Sequence, residues 1–278
     1  MKIHSLAFSV LLCTSQAAQA ELILSGSPSI QDRSELNKRY TELASELSQA
    51  LGEPVRYVAP LNEMGYAQEI RKGSYDILLD GPHLAAWRHA KGIHQLVAQT
   101  NIPLTFLVVT PANDSSMTST EQLIGKPVCA QASPHLSNLM FMSLYPNPLQ
   151  LPNMRMVEGF KPIVEKVIKG ECKAGVLSAA FYEKSLDQET RDKLRIIHNT
   201  RPLPGHIMTV SNKISPERRE ALTKRIINAD PAHDTLVQAM TNAGVRGGEP
   251  SKTRWLAVKP ESLKGLDEIL VQQSFGWQ

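Results

Sequence analysis

Apolar and polar positions alternate between two periods along this chain, and the switch between them sets out its elements. Leu22-Ile23-Leu24 is a short apolar run broken by Ser25-Gly26-Ser27-Pro28. Asp32 and Glu35 then stand three apart, the spacing of a capping box. Leu36, Tyr40, Leu43, Ala44, Leu47 and Leu51 recur at helical spacing until Gly52 and Pro54 stop them. A second apolar run over 55–58 completes strand, helix, strand, the unit of a parallel sheet. Another helix is predicted over 62–72 with a stop at Gly73. It leads to a third strand, Ile77-Leu78-Leu79, that ends at Asp80-Gly81-Pro82.

The end of that unit has a later echo. Arg71-Lys72-Gly73-Ser74-Tyr75-Asp76-Ile77-Leu78-Leu79 is matched by Ile168-Lys169-Gly170-Glu171-Cys172-Lys173-Ala174-Gly175-Val176-Leu177: a helix, a Lys-Gly stop and a strand. The echo predicts a second lobe with strands at 127–130, 154–157 and 174–177. A β-rich run over 104–109 and a short helix with a glycine stop over 119–125 precede it. The proline-rich stretch 145–152 reads as a rigid surface connection. Near Arg201 the chain returns to the first lobe through a strand at 207–210 and a helix opened by Ser215-Pro216. Residues 21–107 and 203–278 thus form lobe 1, 108–202 form lobe 2, and two crossings make a hinge.

Composition adds the compartment. Lys2, an apolar run over 6–13 and small residues ending Ala18-Gln19-Ala20 read as a secretory signal peptide cleaved after Ala20, so the mature protein is expected to be exported and monomeric. The apolar run is shorter than the roughly 20 residues a membrane helix needs. Bulky Leu12 before Cys13 argues against lipid attachment. In an oxidising compartment Cys129 and Cys172 read as a disulfide, with two buried thiols as the alternative. A formal charge of +3 without a basic run among aromatics gives nucleic-acid binding no support, and aromatics at 5% are few for a carbohydrate cleft.

Ligands of open parallel sheets bind beyond the carboxyl ends of the strands, where helix N-termini offer free N–H groups. Ser25, Ser27, Asp80, Gly81, His83, Gln131, Ser133, His135, Ser137 and Ser178 occupy that position. Short hydroxyls beside backbone donors suit an oxyanion, and the same serines suit helix capping; both readings stand. His135, where its loop meets a helix, has two readings as well, a cation for an anion or a ring bonded to backbone. His83, His89 and His94 are spaced by six and five, which shares no helix face, so they read as a solvated histidine-rich helix rather than a metal site. Trp87 reads as packing. No Gly-x-Ser-x-Gly elbow, His-Glu-x-x-His helix or P-loop occurs, so an enzyme, for instance a hydrolase, is the lesser expectation, and no cofactor is implied.

From about 21 to 244 the chain resembles the periplasmic phosphate/phosphonate-binding proteins that serve ABC importers. The residues that carry this are Leu51-Gly52-Glu53-Pro54-Val55, Gly65-Tyr66-Ala67, Gly73-Ser74-Tyr75-Asp76-Ile77, Asp80-Gly81-Pro82, Leu123-Ile124-Gly125-Lys126-Pro127-Val128 and Arg201-Pro202-Leu203-Pro204-Gly205, in that order. The resemblance implies an α/β, two-lobed type II periplasmic-binding fold and adds Tyr66 and Phe160 to the candidate ligand residues. It implies a small anionic ligand and a membrane permease as partner, or a sensor kinase in a signalling alternative. Three positions depart from the family. Ser133-Pro134-His135-Leu136-Ser137 stands for its Ser-Thr-Ser-Gly loop, Phe160 for a histidine, and Leu177-Ser178 for an acidic residue. An aminoalkylphosphonate is therefore not the expected ligand.

Overall fold

The computed structural model describes residues 21–28, 33–245, 249–274 and 276–278. The signal peptide and Asp32 of the capping box lie outside them. Chain order gives β1 (Leu22–Gly26), α1 (Arg33–Leu51), β2 (Val55–Tyr57), α2 (Glu63–Lys72), β3 (Ile77–Asp80), α3 (Pro82–Ala90) and β4 (His94–Thr100). There follow β5 (Phe106–Pro111), β6 (Pro127–Ala130), α4 (Leu136–Met142), β7 (Asn153–Met156), α5 (Phe160–Ile168), β8 (Ala174–Ser178), α6 (Ala179–Ser185), α7 (Gln188–Asp192) and β9 (Leu194–Asn199). The chain ends with β10 (Ile207–Ser211), α8 (Pro216–Asn228), α9 (Thr235–Gly244), β11 (Trp255–Leu256) and α10 (Leu266–Gln273).

These strands form two mixed sheets flanked by helices. The first runs β11-β4-β10-β3-β1-β2 and the second β7-β6-β8-β5-β9. In each, three strands joined by helices are parallel: β2, β1 and β3 in the first sheet, β7, β6 and β8 in the second. β10 and β5, the strands the chain enters from the crossings, run against them, while β4 and β9 run with them. Phe106 and Leu107, which the sequence boundary put in lobe 1, open β5 of the second sheet. The short helix expected near 119–125 is a single 3-10 turn, Glu121–Leu123.

Burial follows the periodicity. Tyr40, Leu43, Ala44, Leu47 and Leu51 form the buried stripe of α1, packed with Leu24, Ile77, Met208 and Val237. The second sheet is cored by Leu107, Val109, Ile163, Val167 and Leu177 on one face, and by Val108, Val128, Phe141 and Val176 on the other. The echo holds in detail: α2 stops at Gly73 (φ 69°), and α5 is followed by Gly170 (φ 75°).

The expected histidine-rich helix is corrected by the packing. α3 ends at Ala90, and every residue from Pro82 to Arg88 is buried. His94 belongs to β4 and is buried as well. α3 is enclosed because α10 lies along it and Trp87 meets Trp277 edge-on at 5.0 Å, with its Nε1 donating to the Trp277 carbonyl at 2.8 Å.

Cys129 and Cys172 form a disulfide that ties β6 to the turn after α5 across 43 residues of sequence. Closing such a loop stabilises by about 4 kcal/mol in the chain-entropy model. Reduction, or Cys129→Ala with Cys172→Ala, is expected to lower the melting temperature by on the order of 10 °C. A reduced protein that melts at the oxidised temperature would refute this role.

Candidate functional site

Strand direction brings the two lobes' carboxyl edges together. Asp80, the last residue of β3, pairs with Ile207, the first of β10; Ser178, the last of β8, pairs with Phe106, the first of β5. Both parallel sets therefore end at the crossings. The crossings hold one another: the Leu104 and Leu203 amides each donate to the other's carbonyl, at 3.0 and 2.9 Å. The Thr100 amide donates to His206 (2.9 Å) and that of Thr200 to Phe106 (2.9 Å). Gly205 sits so tightly in this ladder that a side chain would overlap the Thr100 hydroxyl and come within 2.5 Å of the Ile102 carbonyl.

On the lobe 1 wall the corner from β3 into α3 is held by a buried ion pair. Arg88 donates from both terminal nitrogens to Asp80, at 2.8 and 2.7 Å, and Tyr66 donates to the same carboxylate at 2.7 Å. Arg88 also donates to the Thr209 hydroxyl (3.0 Å). His94 Nε2 lies 3.1 Å from the Tyr75 carbonyl, which can only accept, so Nδ1 is left to accept from Thr209 at 3.0 Å. Ser25 donates to the Val58 carbonyl. Asp80, Tyr66 and Ser25 thus spend their side chains inside the lobe, a different role from ligand contact. Gly81 and half-buried Ser27 remain at the edge. His83, the second residue of α3, crosses the cleft: its Nε2 lies 2.9 Å from the Pro134 carbonyl.

The lobe 2 wall is aromatic. His135 Nδ1 accepts from the Ser137 amide (3.2 Å) and lies 2.8 Å from its hydroxyl, so the ring caps α4. Phe106 and Phe160 meet that ring edge-on at 6.5 and 5.8 Å, and Phe181 leans on Phe160 at 5.4 Å. Gln131 reaches the far ring nitrogen at 3.4 Å, and Ser133 bonds Ser274 at 2.7 Å. Ser178 precedes α6. The structure gathers Gln131, His135, Ser137, Phe160 and Ser178 on this wall.

Helix starts divide by position. α3 after Gly81, α5 after Gly159 and α6 after Ser178 begin without a side-chain cap, as does α10. Asn62, Asp187, Ser215 and Asp234 cap α2, α7, α8 and α9. The first three follow β3, β7 and β8; α3 opens on Pro82, which has no N–H, and the Ala179 amide of α6 donates to the Thr105 carbonyl at 2.9 Å, so these starts offer their positive dipole ends and the remaining first-turn amides.

A family model described as the phosphonate ABC transporter periplasmic substrate-binding protein matches residues 26–256. This chain belongs to that family. Among solved structures it is similar to XAC2383 from Xanthomonas citri bound to ATP, with a TM-score of 0.72 at 14% identity over 91% of this chain and 97% of that one. PhnD1 from Prochlorococcus marinus in complex with methylphosphonate matches with a TM-score of 0.65 at 18% identity, over 91% and 98%. The aliphatic sulphonate binding protein SsuA from Escherichia coli matches at 0.58 and 11%, over 91% and 92%. At these identities the structures show the type II periplasmic-binding fold. No curated protein matches the chain.

For a phosphonate-family binding protein, two cleft components escaped the sequence. Phe106 and Phe181 needed the direction of β5 and the packing of α6, and the Pro134 carbonyl needed the closed contact with His83. Only the β-rich run over 104–109, in which Phe106 lies, marked the first. Among the described residues no helix is long and apolar enough to cross a membrane, and no cluster of three or more His, Cys, Asp or Glu could hold a metal.

Burial pushes both His83 and His94 down from 6.5 to about 4, with Arg88 adding to the shift at His94. Their neutral forms are the folded ones, so the stability they contribute is full above pH 6.5 and is lost as pH falls toward 4. Each group steepens the loss by about 1.4 kcal/mol per pH unit in that window. Melting temperature is expected to fall from pH 6.5 to 4.5, less so in His94→Asn; a flat profile would contradict it. Arg88→Met strands a buried carboxylate and should cost about 3–5 kcal/mol, part of it recovered by adding Asp80→Asn. Urea unfolding measures both, and no recovery in the double variant would show that the pair is not the cause.

Proposed function

We propose that this family member captures a small oxyanion of the phosphonate or phosphate class between its lobes and delivers it to the permease of an ABC importer. One observation supports the reading: α3, α5 and α6, which follow the parallel strands β3, β7 and β8, start without a side-chain cap. Free backbone N–H groups at helix starts bind anions because they add dipole and hydrogen bond together. Backbone at Ser27, Gly81, Gly159 and Phe160, with the side chains of Gln131, Ser133, His135 and Ser178, would surround the anion. Phe106, Phe160 and Phe181 offer an apolar wall to its substituent and nothing that would attract an amine. That PhnD1, of the same fold, is in complex with methylphosphonate agrees with this class. No observation favours signalling to a sensor kinase or ester hydrolysis.

A thermal-shift series over phosphate, phosphite, alkylphosphonates, sulfate, thiosulfate and small carboxylates tests it. Ligand at 100 times its dissociation constant adds about 2.7 kcal/mol, a rise on the order of 5–10 °C. A neutral solute that raises melting while no anion does would overturn the reading.

A further inference from the structure

We propose that His83 is the specificity residue of the cleft, and that its Nδ1 lone pair selects oxyanions that still carry a proton to donate over those that carry none. The inference rests on the oxyanion reading above and deepens it, since donors alone would accept a phosphonate and a sulfonate alike.

The tautomer follows from the partners. A carbonyl oxygen only accepts, so the 2.9 Å contact to Pro134 requires that Nε2 carry the hydrogen. In the neutral ring Nδ1 is then a bare acceptor. The ring is only 4% exposed, and Nδ1 is buried with no hydrogen-bond partner. Burial keeps the ring neutral, pulling its proton affinity down to about 4. An unpaired buried acceptor of this kind costs about 1–3 kcal/mol until a donor meets it.

Among the described residues none supplies such a donor. Behind the ring, Arg88 is bound to Asp80 and Thr209, and Tyr66 to Asp80. His206 on the return crossing is the other titratable neighbour. The opposing loop brings the Pro134 carbonyl, Ser133, which is bonded to Ser274, and His135, which caps α4. Gly81 leaves the ring's flank clear: a side chain there would come within 2.7 Å of Cε1 and 2.9 Å of Nδ1. The lone pair therefore sits beside the uncapped start of α3, among groups that otherwise donate. A singly protonated phosphonate offers one O–H to Nδ1 and its remaining oxygens to the backbone donors. A sulfonate has no proton to give and would place an oxygen against the lone pair. Because Nε2 joins the opposite lobe, the same ring is in place only when the cleft is closed.

The test is titration calorimetry of the full mature chain with methylphosphonate and methanesulfonate, wild type against His83→Gln. Gln keeps a donor toward Pro134 and removes the Nδ1 acceptor. Wild type is expected to prefer methylphosphonate by about 10- to 100-fold and the variant to lose most of that preference, with methanesulfonate affinity unchanged or improved. An undiminished preference in a folded variant, or equal affinities in wild type, would overturn the assignment to His83. Wild type alone gives a second reading that needs no variant. Methylphosphonate affinity should fall as pH rises through the second ionisation, while methanesulfonate stays level; a phosphonate affinity that rises there overturns the proposal. Failure of every oxyanion to bind wild type would instead defeat the reading on which it rests.

Discussion

The ion pair between Asp80 and Arg88 is the constraint on which the cleft depends. Both side chains are fully enclosed, so neither can fall back on water, and each must find its partners within the fold. The two-nitrogen fork from Arg88 ties the end of β3 to the last turn of α3 and so fixes the angle at which that helix leaves the sheet. Tyr66 brings α2 to the same carboxylate, and Thr209 brings the strand returning from lobe 2. The corner that carries Gly81 and His83 and the strand that carries the hinge thus share one hydrogen-bonded network. A buried pair of this kind is weak evidence for net stability. Its effect is on position, because each member is held by directional bonds to the others.

From that corner the lobes are built as unequal halves. Lobe 1 presents backbone and one histidine over a polar interior. Lobe 2 presents a histidine flanked by Phe106 and Phe160, the latter backed by Phe181, and seated at its own helix start. Contact between them is made by His83 on Pro134, by Ser274 on Ser133, and by apolar packing of Leu136, Leu139 and Met140 of α4 against α3 and α10. Hydrogen bonds across the cleft are directional, whereas the apolar seam beside the hinge is not. Closure is therefore specified by a few polar atoms and supported by buried surface.

Much of this was legible in the chain. The 3.6-residue stripe of α1, the strands at 127–130 and 207–210, and the paired Lys-Gly stops follow from local rules: side-chain period, caps and the backbone freedom of glycine. The cysteine pair followed from the compartment. The two-lobed fold and its family followed from motifs in order. Illegible were the groups whose role depends on partners far along the chain. Asp80 looked like a ligand residue because it ends a strand, but Arg88 from the next helix and Tyr66 from the previous one claimed it. His83, His89 and His94 looked solvated because their spacing shares no helix face. α10, far along the chain, lies along the helix that carries the first two, and the third is buried in β4.

By itself the sequence determined which segments become helices and strands, and hence that β3, β7 and β8 each end where a helix begins, because those choices are made within a few residues. Tertiary structure alone decided which of those ends meet, which helix starts stay uncapped, and which polar side chains face inward. Those outcomes depend on strand direction and on desolvation, and a buried charge or lone pair is settled only by whichever distant group arrives to satisfy it.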